Sequence, residues 1–166
     1  MVKIKHIITA VFVVIIGALA VVFFFQSEES KVKKQFNFLS KRVSKEPDEK
    51  KLAMAVKAKQ LQTIFAENCG LRADIYSVSG NYTPQEISSL ALTAFSQYSR
   101  ISLTFYDINI DIREKRIAKV LVTANLTARL ATGEYIDDTH ELECILKKVE
   151  SSWLFSDFEV VEVLEK

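Results

Sequence analysis

Residues 117–130 read IAKVLVTANLTARL, and the alternation in this stretch decides the fold class. Apolar side chains stand at every second position of this stretch: Ala118, Val120, Val122, Ala124, Leu126, Ala128 and Leu130. A period of two is typical of a β-strand, because successive side chains leave opposite faces of the pleat. The stretch therefore predicts a strand with one buried face, and Thr132-Gly133-Glu134 after it predicts a turn.

The surrounding residues extend this pattern into four consecutive strands over residues 101–164. The run 135–149 places Ile136, Leu142, Cys144 and Leu146 on one face. Glu150-Ser151-Ser152 then predicts a second turn, which leads into a strand that begins at Trp153. We predict an antiparallel four-stranded meander.

The first and last of these strands change parity halfway along. Leu103 and Phe105 are at odd positions and share a face, whereas Ile108 and Ile110 are at even positions and would face the other side of a regular strand. An extra residue near Tyr106-Asp107, and another near Ser156-Asp157, would restore both registers as β-bulges and would curve the sheet. The alternative is a strand buried on both faces, where parity carries no information.

Three helices are predicted before the meander. The first, 27–45, carries an apolar stripe that either covers the sheet or lies on anionic lipid: Val32, Phe36, Leu39 and Val43. The second starts at Glu46-Pro47-Asp48 and ends near Cys69-Gly70, with this buried face: Leu52, Val56, Leu61, Ile64 and Phe65.

The third helix has the sharpest local signal, Thr83-Pro84-Gln85-Glu86, which predicts a capping box with proline in the first turn. Its predicted buried face is Ile87, Leu90, Ala91, Ala94, Phe95 and Tyr98. A short strand is expected over 71–78. Helices followed by a run of strands indicate the α+β class.

Residues 7–25 carry no charge, and as a helix they would span about 28 Å, close to the hydrocarbon thickness of a bilayer. We predict a short cytoplasmic tail (1–6), an uncleaved transmembrane anchor (7–25) and a single domain (26–166). The alternative is a signal peptide cut at Ala18-Leu19-Ala20, which would leave an apolar new N-terminus.

The anchor predicts a cell-membrane location, with a single pass and the domain on the extracytoplasmic (periplasmic) side. Lys3 and Lys5 before the apolar run are typical of an export signal. Basic residues after it favour the opposite, cytoplasm-facing orientation. The chain has 22 Lys+Arg against 21 Asp+Glu. It therefore lacks the excess of positive charge that is typical of nucleic-acid-binding proteins.

This order of elements resembles the nuclear transport factor 2-like family, the cystatin-like α+β roll. The residues that carry the resemblance are Thr83-Pro84-Gln85-Glu86, Ala118-Lys119-Val120 and Ser151-Ser152-Trp153-Leu154. It implies three helices on a curved, mainly antiparallel sheet with a conical pocket. The family includes isomerases, cyclases and dehydratases, binding domains without catalysis, and membrane-anchored bacterial members of unknown role. Relatives often dimerise through the outer sheet face, so a homodimer is a possible state.

The two cysteines, Cys69 and Cys144, are both expected to face the core. In an oxidising compartment they are a candidate disulfide. The alternative is two unrelated buried thiols that act as small apolar groups. Neither has metal-ligand spacing, and no cofactor is predicted.

One acid–histidine group and a set of polar and aromatic residues are candidates for a pocket. Asp138 and His140 share a strand face, and such a pair suits a general base. The full pocket set is Tyr106, Asn125, Arg129, Asp138, His140 and Trp153. An ordinary sheet surface explains the same residues, and no catalytic residue is assigned.

Three functions are consistent with these patterns. The favoured one is a non-catalytic, membrane-tethered domain that binds a partner protein or a small apolar ligand. The second is a small isomerase- or cyclase-type enzyme that uses Asp138 and His140. The third is a cytoplasm-facing adaptor whose basic first helix lies on the lipid surface.

Overall fold

The computed structural model describes the backbone of residues 2–73 and 78–163, and the side chains of residues 11–21, 28–73 and 79–161. The elements are α1 (Val2–Val43), α2 (Lys51–Leu61), a 3-10 turn (Gln62–Ile64), β1 (Phe65–Ala73), β2 (Val78–Tyr82), α3 (Pro84–Gln97), β3 (Tyr98–Glu114), β4 (Ile117–Leu130), β5 (Tyr135–Val149) and β6 (Ser152–Val163).

The strands form one mixed sheet in the order β2-β1-β6-β5-β4-β3. Strands β3 to β6 are the predicted antiparallel meander, which is confirmed. β1 pairs in parallel with β6 and antiparallel with β2. The predicted strand over 71–78 corresponds to parts of β1 and β2, and residues 74–77 lie outside the described part. Helices on a mixed sheet make this an α+β fold, as predicted.

Both predicted bulges are present. In β3, Tyr106 lies opposite Thr123 but Asn109 lies opposite Leu121, which leaves one extra residue between them. Asp107 in this interval has a φ of 51°. In β6, Ser156 is the extra residue between the two pairings with β5. Bulges bend a strand and increase its twist, so they curve the sheet around the helices.

Helix α1 covers the inner face of the sheet with the predicted stripe. Val32, Phe36 and Leu39 are all buried. Phe36 makes edge-on contacts with Phe105 and Phe155, at centroid distances of 5.2 and 5.0 Å. The helix continues without a break from Val2 to Val43, so the predicted anchor and the predicted first domain helix are one element.

The predicted anchor, 7–25, has described side chains only at residues 11–21. The large apolar side chains in that segment are exposed: Val11, Phe12, Val13, Val14, Ile15, Ile16, Leu19 and Val21. Residues 7–10 and 22–25 of the prediction lie outside the described side chains. Within the part of the chain that the structure describes, no helix has an apolar stretch long enough to cross a membrane.

The predicted face of α2 is wrong at two positions. Leu52 is 77% exposed and Val56 is 47% exposed, whereas Ala58 and Leu61 are buried. The reason is that α2, KLAMAVKAKQL, has apolar residues on every side, so its periodicity selects no single face. The face that α1 and α3 cover is decided by tertiary packing.

The predicted end of α2 near Cys69-Gly70 is also wrong. The helix stops at Leu61, and both residues lie on β1. Phe65 and Leu71 pair with β6, and this non-local pairing outweighs the local helical pattern. Glycine is required at position 70 because the Asp157 side chain lies close to its backbone. A Cβ there would lie 2.5 Å from Asp157 Oδ2.

The predicted start of α3 is confirmed. Thr83 Oγ1 accepts a hydrogen bond from the Glu86 N–H, and Glu86 Oε2 accepts one from the Thr83 N–H, which completes the capping box. At the other end, Lys45 Nζ donates to the carbonyl oxygens of Phe95 and Tyr98. A buried lysine therefore caps the helix C-terminus, where a cation is favoured.

Candidate functional site

The inner face of the sheet beneath α1 is filled by aromatic side chains. Phe155 lies at centroid distances of 5.0 Å from Phe36, 5.8 Å from Phe65 and 4.9 Å from Phe158. Trp153 and Phe155 are almost completely buried. These rings pack tightly against one another and fill the inner face beneath α1.

A buried charged group lies at one end of this inner face, and we call it the Glu28 cluster: Glu28, Lys31, Lys148 and Trp153. Glu28 Oε2 accepts from Trp153 Nε1 at 2.9 Å and lies 2.7 Å from Lys148 Nζ. Glu28 Oε1 accepts from Lys31 Nζ at 2.7 Å. The cluster ties α1 to the end of β5 and the start of β6.

The electrostatics of the cluster favour the ionised carboxylate. Burial alone would raise the pKa of Glu28, but the hydrogen bonds from Lys148, Lys31 and Trp153 outweigh it. Together they lower the pKa from 4.5 to about 2. A buried carboxylate whose oxygens are all engaged by donors stabilises structure and is not available as a base.

Two of the predicted pocket residues lie together on the inner face. Asp138 and His140 alternate with outward-facing residues on β5, opposite Leu126 and Ala124 of β4. Both are half-buried. Trp153 lies on the same face of the sheet, but it is paired with Lys148. Lys148 is about 27 Å farther along β5 than His140, at the rise per residue of a strand. The structure therefore keeps Trp153 apart from the acid–histidine pair.

The other three predicted residues lie on the outer face. Tyr106 is exposed on β3. Asn125 Nδ2 donates to Asp137 Oδ1 and to Thr139 Oγ1, both at 2.9 Å. Arg129 lines a shallow cavity of about 220 Å³ together with Pro47, Ser99, Arg100, Thr127, Ala128 and Tyr135. The structure therefore does not bring the six predicted residues into one pocket.

The predicted disulfide is absent, and both cysteines are free and buried. β6 lies between β1, which carries Cys69, and β5, which carries Cys144. Two strand spacings place their backbones about 9–10 Å apart. A disulfide can join two cysteines only when their Cα atoms are within about 7 Å. Burial, with Asp157 nearby, raises the pKa of Cys69 to about 12, and burial also raises the pKa of Cys144. Burial therefore disfavours the thiolate, which is the reactive form, in both residues.

A groove on the helical side is a second candidate site, which we call the α2 groove. Its volume is about 440 Å³, within the range of ligand sites. It lies between the end of α1 and α2, and its lining residues are Arg42, Lys50, Leu52, Ala53, Val56, Lys57 and Gln60. A second cavity of about 550 Å³ between α2 and α3 shares Val56 and Gln60 with it.

Two residues that line the α2 groove each carry a fully buried polar atom that lacks a hydrogen-bond partner among the described residues. They are Arg42 Nε and Gln60 Oε1. The guanidinium carbon of Arg42 lies 4.8 Å from the centroid of the Phe38 ring, which holds the side chain in place. Unsatisfied buried polar groups are rare in native proteins and require an explanation.

Sequence reasoning missed both sites, although the Glu28 cluster left two traces in the sequence. Glu28 stands four residues before Val32, in line with the apolar stripe of α1. Lys148 continues the inner parity of Cys144 and Leu146 on β5. A charge of each sign in line with a buried face predicts a buried ion pair. Among residues with described side chains, no three of His, Cys, Asp and Glu come together as a metal site.

Comparisons with known proteins show the fold. No protein-family model matches the sequence, and no curated protein is significantly similar to it. A Kribbella flavida protein of known structure has a TM-score of 0.69 at 7% identity, with 84% of this chain and 95% of that chain covered. A proposed scytalone dehydratase from Novosphingobium aromaticivorans has a TM-score of 0.64 at 17% identity, with coverages of 84% and 86%.

A hexachlorocyclohexane dehydrochlorinase from Novosphingobium barchaimii has a TM-score of 0.63 at 8% identity, with 84% of this chain and 90% of that chain covered. At these identities the likeness concerns the fold alone. The predicted roll of helices on a curved α+β sheet is confirmed at that level, and two of these similar structures carry the names of enzymes.

Proposed function

We propose that this chain is a membrane-tethered binding domain without catalytic activity. The observation that carries the proposal is the filled inner face beneath α1. Phe36, Phe155 and Phe158 pack against one another there, and the three cavities described above lie elsewhere. A filled inner face favours binding through the outer surfaces of the roll, to a partner protein or a small apolar ligand.

The tether is supported by the exposed apolar part of α1. Residues 11–21 expose large aliphatic and aromatic side chains. An apolar surface of this kind on all sides of a helix is stable when lipid covers it. Because α1 continues into the domain without a break, one helix would serve as both the single-pass anchor and the cover of the sheet.

The tether is tested by extraction of membranes that contain the full chain. Sodium carbonate at high pH should leave the protein in the membrane pellet, whereas detergent should release it. The matched control is a double variant, Val14→Asp with Ile16→Asp, which should move to the carbonate supernatant. Release of the unaltered chain by carbonate would refute the tether.

We further propose an extracytoplasmic location for the domain at the cell membrane. Lys3 and Lys5, which directly precede the apolar residues 7–25, support this orientation. Protease added to intact spheroplasts should digest the domain. Protection until the membrane is lysed would instead favour a cytoplasm-facing adaptor, in which exposed Lys33 and Lys34 of α1 would meet anionic lipid.

A homodimer remains part of this proposal, on the resemblance alone. Light scattering of the full chain in detergent, corrected for bound detergent, should give twice the monomer mass. A monomer mass at micromolar concentration would remove the dimer from the proposal and leave the binding function untouched.

A second candidate is an enzyme that catalyses an elimination. The specific observation is that Asp138 and His140 share the inner face and are both half-buried. Two proteins of similar fold carry the names of a dehydratase and a dehydrochlorinase. In such a reaction a base removes a C–H proton as water or chloride leaves.

This second candidate is tested with the two substrates that those names supply. Scytalone and hexachlorocyclohexane are incubated with the full chain, and elimination products are sought by mass spectrometry. Turnover that disappears in both His140→Ala and Asp138→Asn would support the enzyme. Turnover that survives these substitutions would place the chemistry elsewhere.

A further inference from the structure

We propose that one end of the sheet rests on the phospholipid headgroups of the membrane that holds α1. This end carries the β3–β4 turn (115–116) and the β5–β6 turn (150–151), and we call it the turn end. The inference rests on the proposed tether and deepens it, because it names the surface of the domain that meets the lipid. Three observations carry it: a fixed contact with α1, the shared direction of α1 and β6, and the side chains around the turns.

The turn end is fixed to α1 just beyond the proposed anchor. Glu28 stands three residues after residue 25, or about 4.5 Å farther along the helix axis. Its carboxylate accepts a hydrogen bond from Trp153 Nε1 at 2.9 Å and lies 2.7 Å from Lys148 Nζ. Lys148 and Trp153 are paired on either side of the β5–β6 turn. This turn is therefore held beside the point at which α1 would leave the bilayer.

The shared direction of α1 and β6 points the β5–β6 turn toward the lipid. Phe36 of α1 packs on Phe155 of β6, and nearer the anchor Glu28 accepts the hydrogen bond from Trp153. Between these two contacts, α1 runs toward the anchor and β6 runs toward its turn. At the rise of a strand, Ser151 lies about 7 Å beyond Trp153, which exceeds the rise of about 4.5 Å between Glu28 and the proposed span. The turn would therefore enter the headgroup layer, which is about 5–7 Å thick on each side of a bilayer.

The β3–β4 turn lies beside the β5–β6 turn. The Lys148 N–H donates to the Arg116 carbonyl oxygen at 2.8 Å, which joins the two turns. The turn between β4 and β5, residues 131–134, lies at the opposite end of the sheet. β5 extends about 45 Å between Tyr135 at that end and Val149 at the turn end. Of the two ends, the turn end is therefore the one that would reach the lipid.

Two aliphatic side chains are exposed at the turn end. Ile117 is 38% exposed and Val149 is 51% exposed. They are close together on the outer face, because Ile117 is paired with Lys147, two residues before Val149. Transfer of an exposed aliphatic group from water to the headgroup boundary is favourable, because it removes apolar surface from water. Both side chains would therefore stabilise contact with the lipid.

The basic residues around these side chains match phosphate groups. Lys115, Arg116 and Lys147 form no ion pair with any residue in the described part of the chain. The acidic residues at the two turns are Glu114 and Glu150, so three unpaired cations stand against two acids. Long basic side chains extend past an aliphatic surface and keep their charge at the polar boundary. The combination favours a lipid surface, which offers phosphates above hydrocarbon.

The test places a fluorophore at each end of the sheet of the full chain, held in nanodiscs of phosphatidylethanolamine and phosphatidylglycerol. Val149→Cys and Tyr135→Cys are labelled with a nitrobenzoxadiazole maleimide, and a lipid with a nitroxide on its headgroup serves as the quencher. It should quench most of the fluorescence at Val149→Cys and little at Tyr135→Cys, which is about 45 Å away. The unaltered chain, whose Cys69 and Cys144 are buried, gives the background labelling.

The two possible failures are distinguishable. Equal quenching at both positions, in a chain that carbonate leaves in the membrane, would overturn the contact of the turn end while the tether stands. Release of the labelled chain by carbonate would refute the tether and, with it, the contact that depends on it.

The contribution of the basic residues is tested by charge reversal in the labelled Val149→Cys chain. Lys115→Glu with Arg116→Glu should lower the quenching by about twofold or more, because acidic side chains repel anionic headgroups. The matched control is Lys50→Glu with Lys51→Glu, which makes the same change of charge at the exposed start of α2 and should leave the quenching unchanged. Equal loss in both double variants, or no loss in the first, would overturn the assigned phosphate contacts.

Discussion

The Glu28 cluster and the α2 groove both bury polar side chains, but they differ in whether those side chains find partners. In the cluster, Glu28 receives hydrogen bonds from three residues, one of which is 125 positions away in the chain. In the groove, Arg42 Nε and Gln60 Oε1 have no partner among the described residues. The first arrangement stabilises the fold, whereas the second carries the cost of burial without a compensating hydrogen bond.

The difference matters because a buried polar group is costly until it is paired. When a buried polar group loses its partner, the protein is destabilised. When an unpaired buried polar group is replaced by an apolar one, the free energy of unfolding changes little. Substitutions in the two regions should therefore have effects of different size on the free energy of unfolding. Four measurements test this contrast.

The largest effect is expected for Glu28→Ala. Removal of the carboxylate leaves the half-buried Lys148 ammonium without a counter-charge and the buried Trp153 Nε1–H without an acceptor, and the loss of a buried ion-pair partner costs about 3 kcal/mol or more. Urea unfolding of the full chain in mild detergent measures this, and the fluorescence of Trp153, the only tryptophan, reports it. The control is Glu29→Ala at the neighbouring exposed position, expected within about 0.5 kcal/mol of the unaltered chain. Equal stability of the two variants would mean that the cluster contributes nothing.

The next effect concerns pH. Because the pKa of Glu28 is lowered from 4.5 to about 2 on folding, the unfolded chain binds the proton more tightly. The stabilisation is complete above about pH 4.5 and is lost as the pH falls through about 2, with a magnitude of about 3 kcal/mol. The difference in unfolding free energy between the unaltered chain and Glu28→Gln, followed from pH 7 to pH 2, should shrink over this interval. A difference that does not change with pH would contradict the assigned ion pair.

A smaller loss is expected for Trp153→Phe. This change keeps an aromatic ring but removes the Nε1 donor to Glu28, and hydrogen bonds to charged groups contribute about 2 kcal/mol. Circular dichroism replaces fluorescence as the probe of urea unfolding, since the reporter is lost. Tyr135→Phe, at an exposed aromatic position on β5, is the control and should leave stability unchanged. A loss in Trp153→Phe no larger than in this control would show that the indole is only a space-filling group.

The smallest effect, and one of opposite sign, is expected for Gln60→Leu. The substitution replaces an unsatisfied acceptor by an apolar side chain of similar size. The free energy of unfolding should be unchanged or higher by up to about 1 kcal/mol. Thermal unfolding of the full chain provides the measurement, with Gln62→Leu on the adjacent turn as the reference. Clear destabilisation by Gln60→Leu alone would show that the glutamine has a structural partner after all.

Much of the fold could be predicted from the sequence because its signals are local. The alternation over 117–130 predicted β4, and Thr83 with Glu86 predicted the start of α3. The parity changes near Tyr106 and Ser156 predicted both bulges. In each case the deciding residues are neighbours in the chain, so no knowledge of the tertiary packing was needed.

The errors all concern information that is not local. The position of β6 between β1 and β5 separates Cys69 from Cys144, and no local pattern records the strand order. β1 pairs in parallel with a strand more than 80 residues later, which overrides the helical pattern at Phe65. The buried face of α2 depends on which side α1 and α3 cover, so the exposure of Leu52 could not be predicted from α2 alone.

The uninterrupted course of α1 has a consequence for distance. If residues 7–25 cross the bilayer, Arg42 stands 17 residues beyond the end of that span, or about 25 Å along the helix axis. No hinge of glycine or proline interrupts the helix between them. In that case the helix would hold this part of the folded domain at a fixed distance from the lipid surface, and a partner anchored in the same membrane would have to reach about that far to contact it.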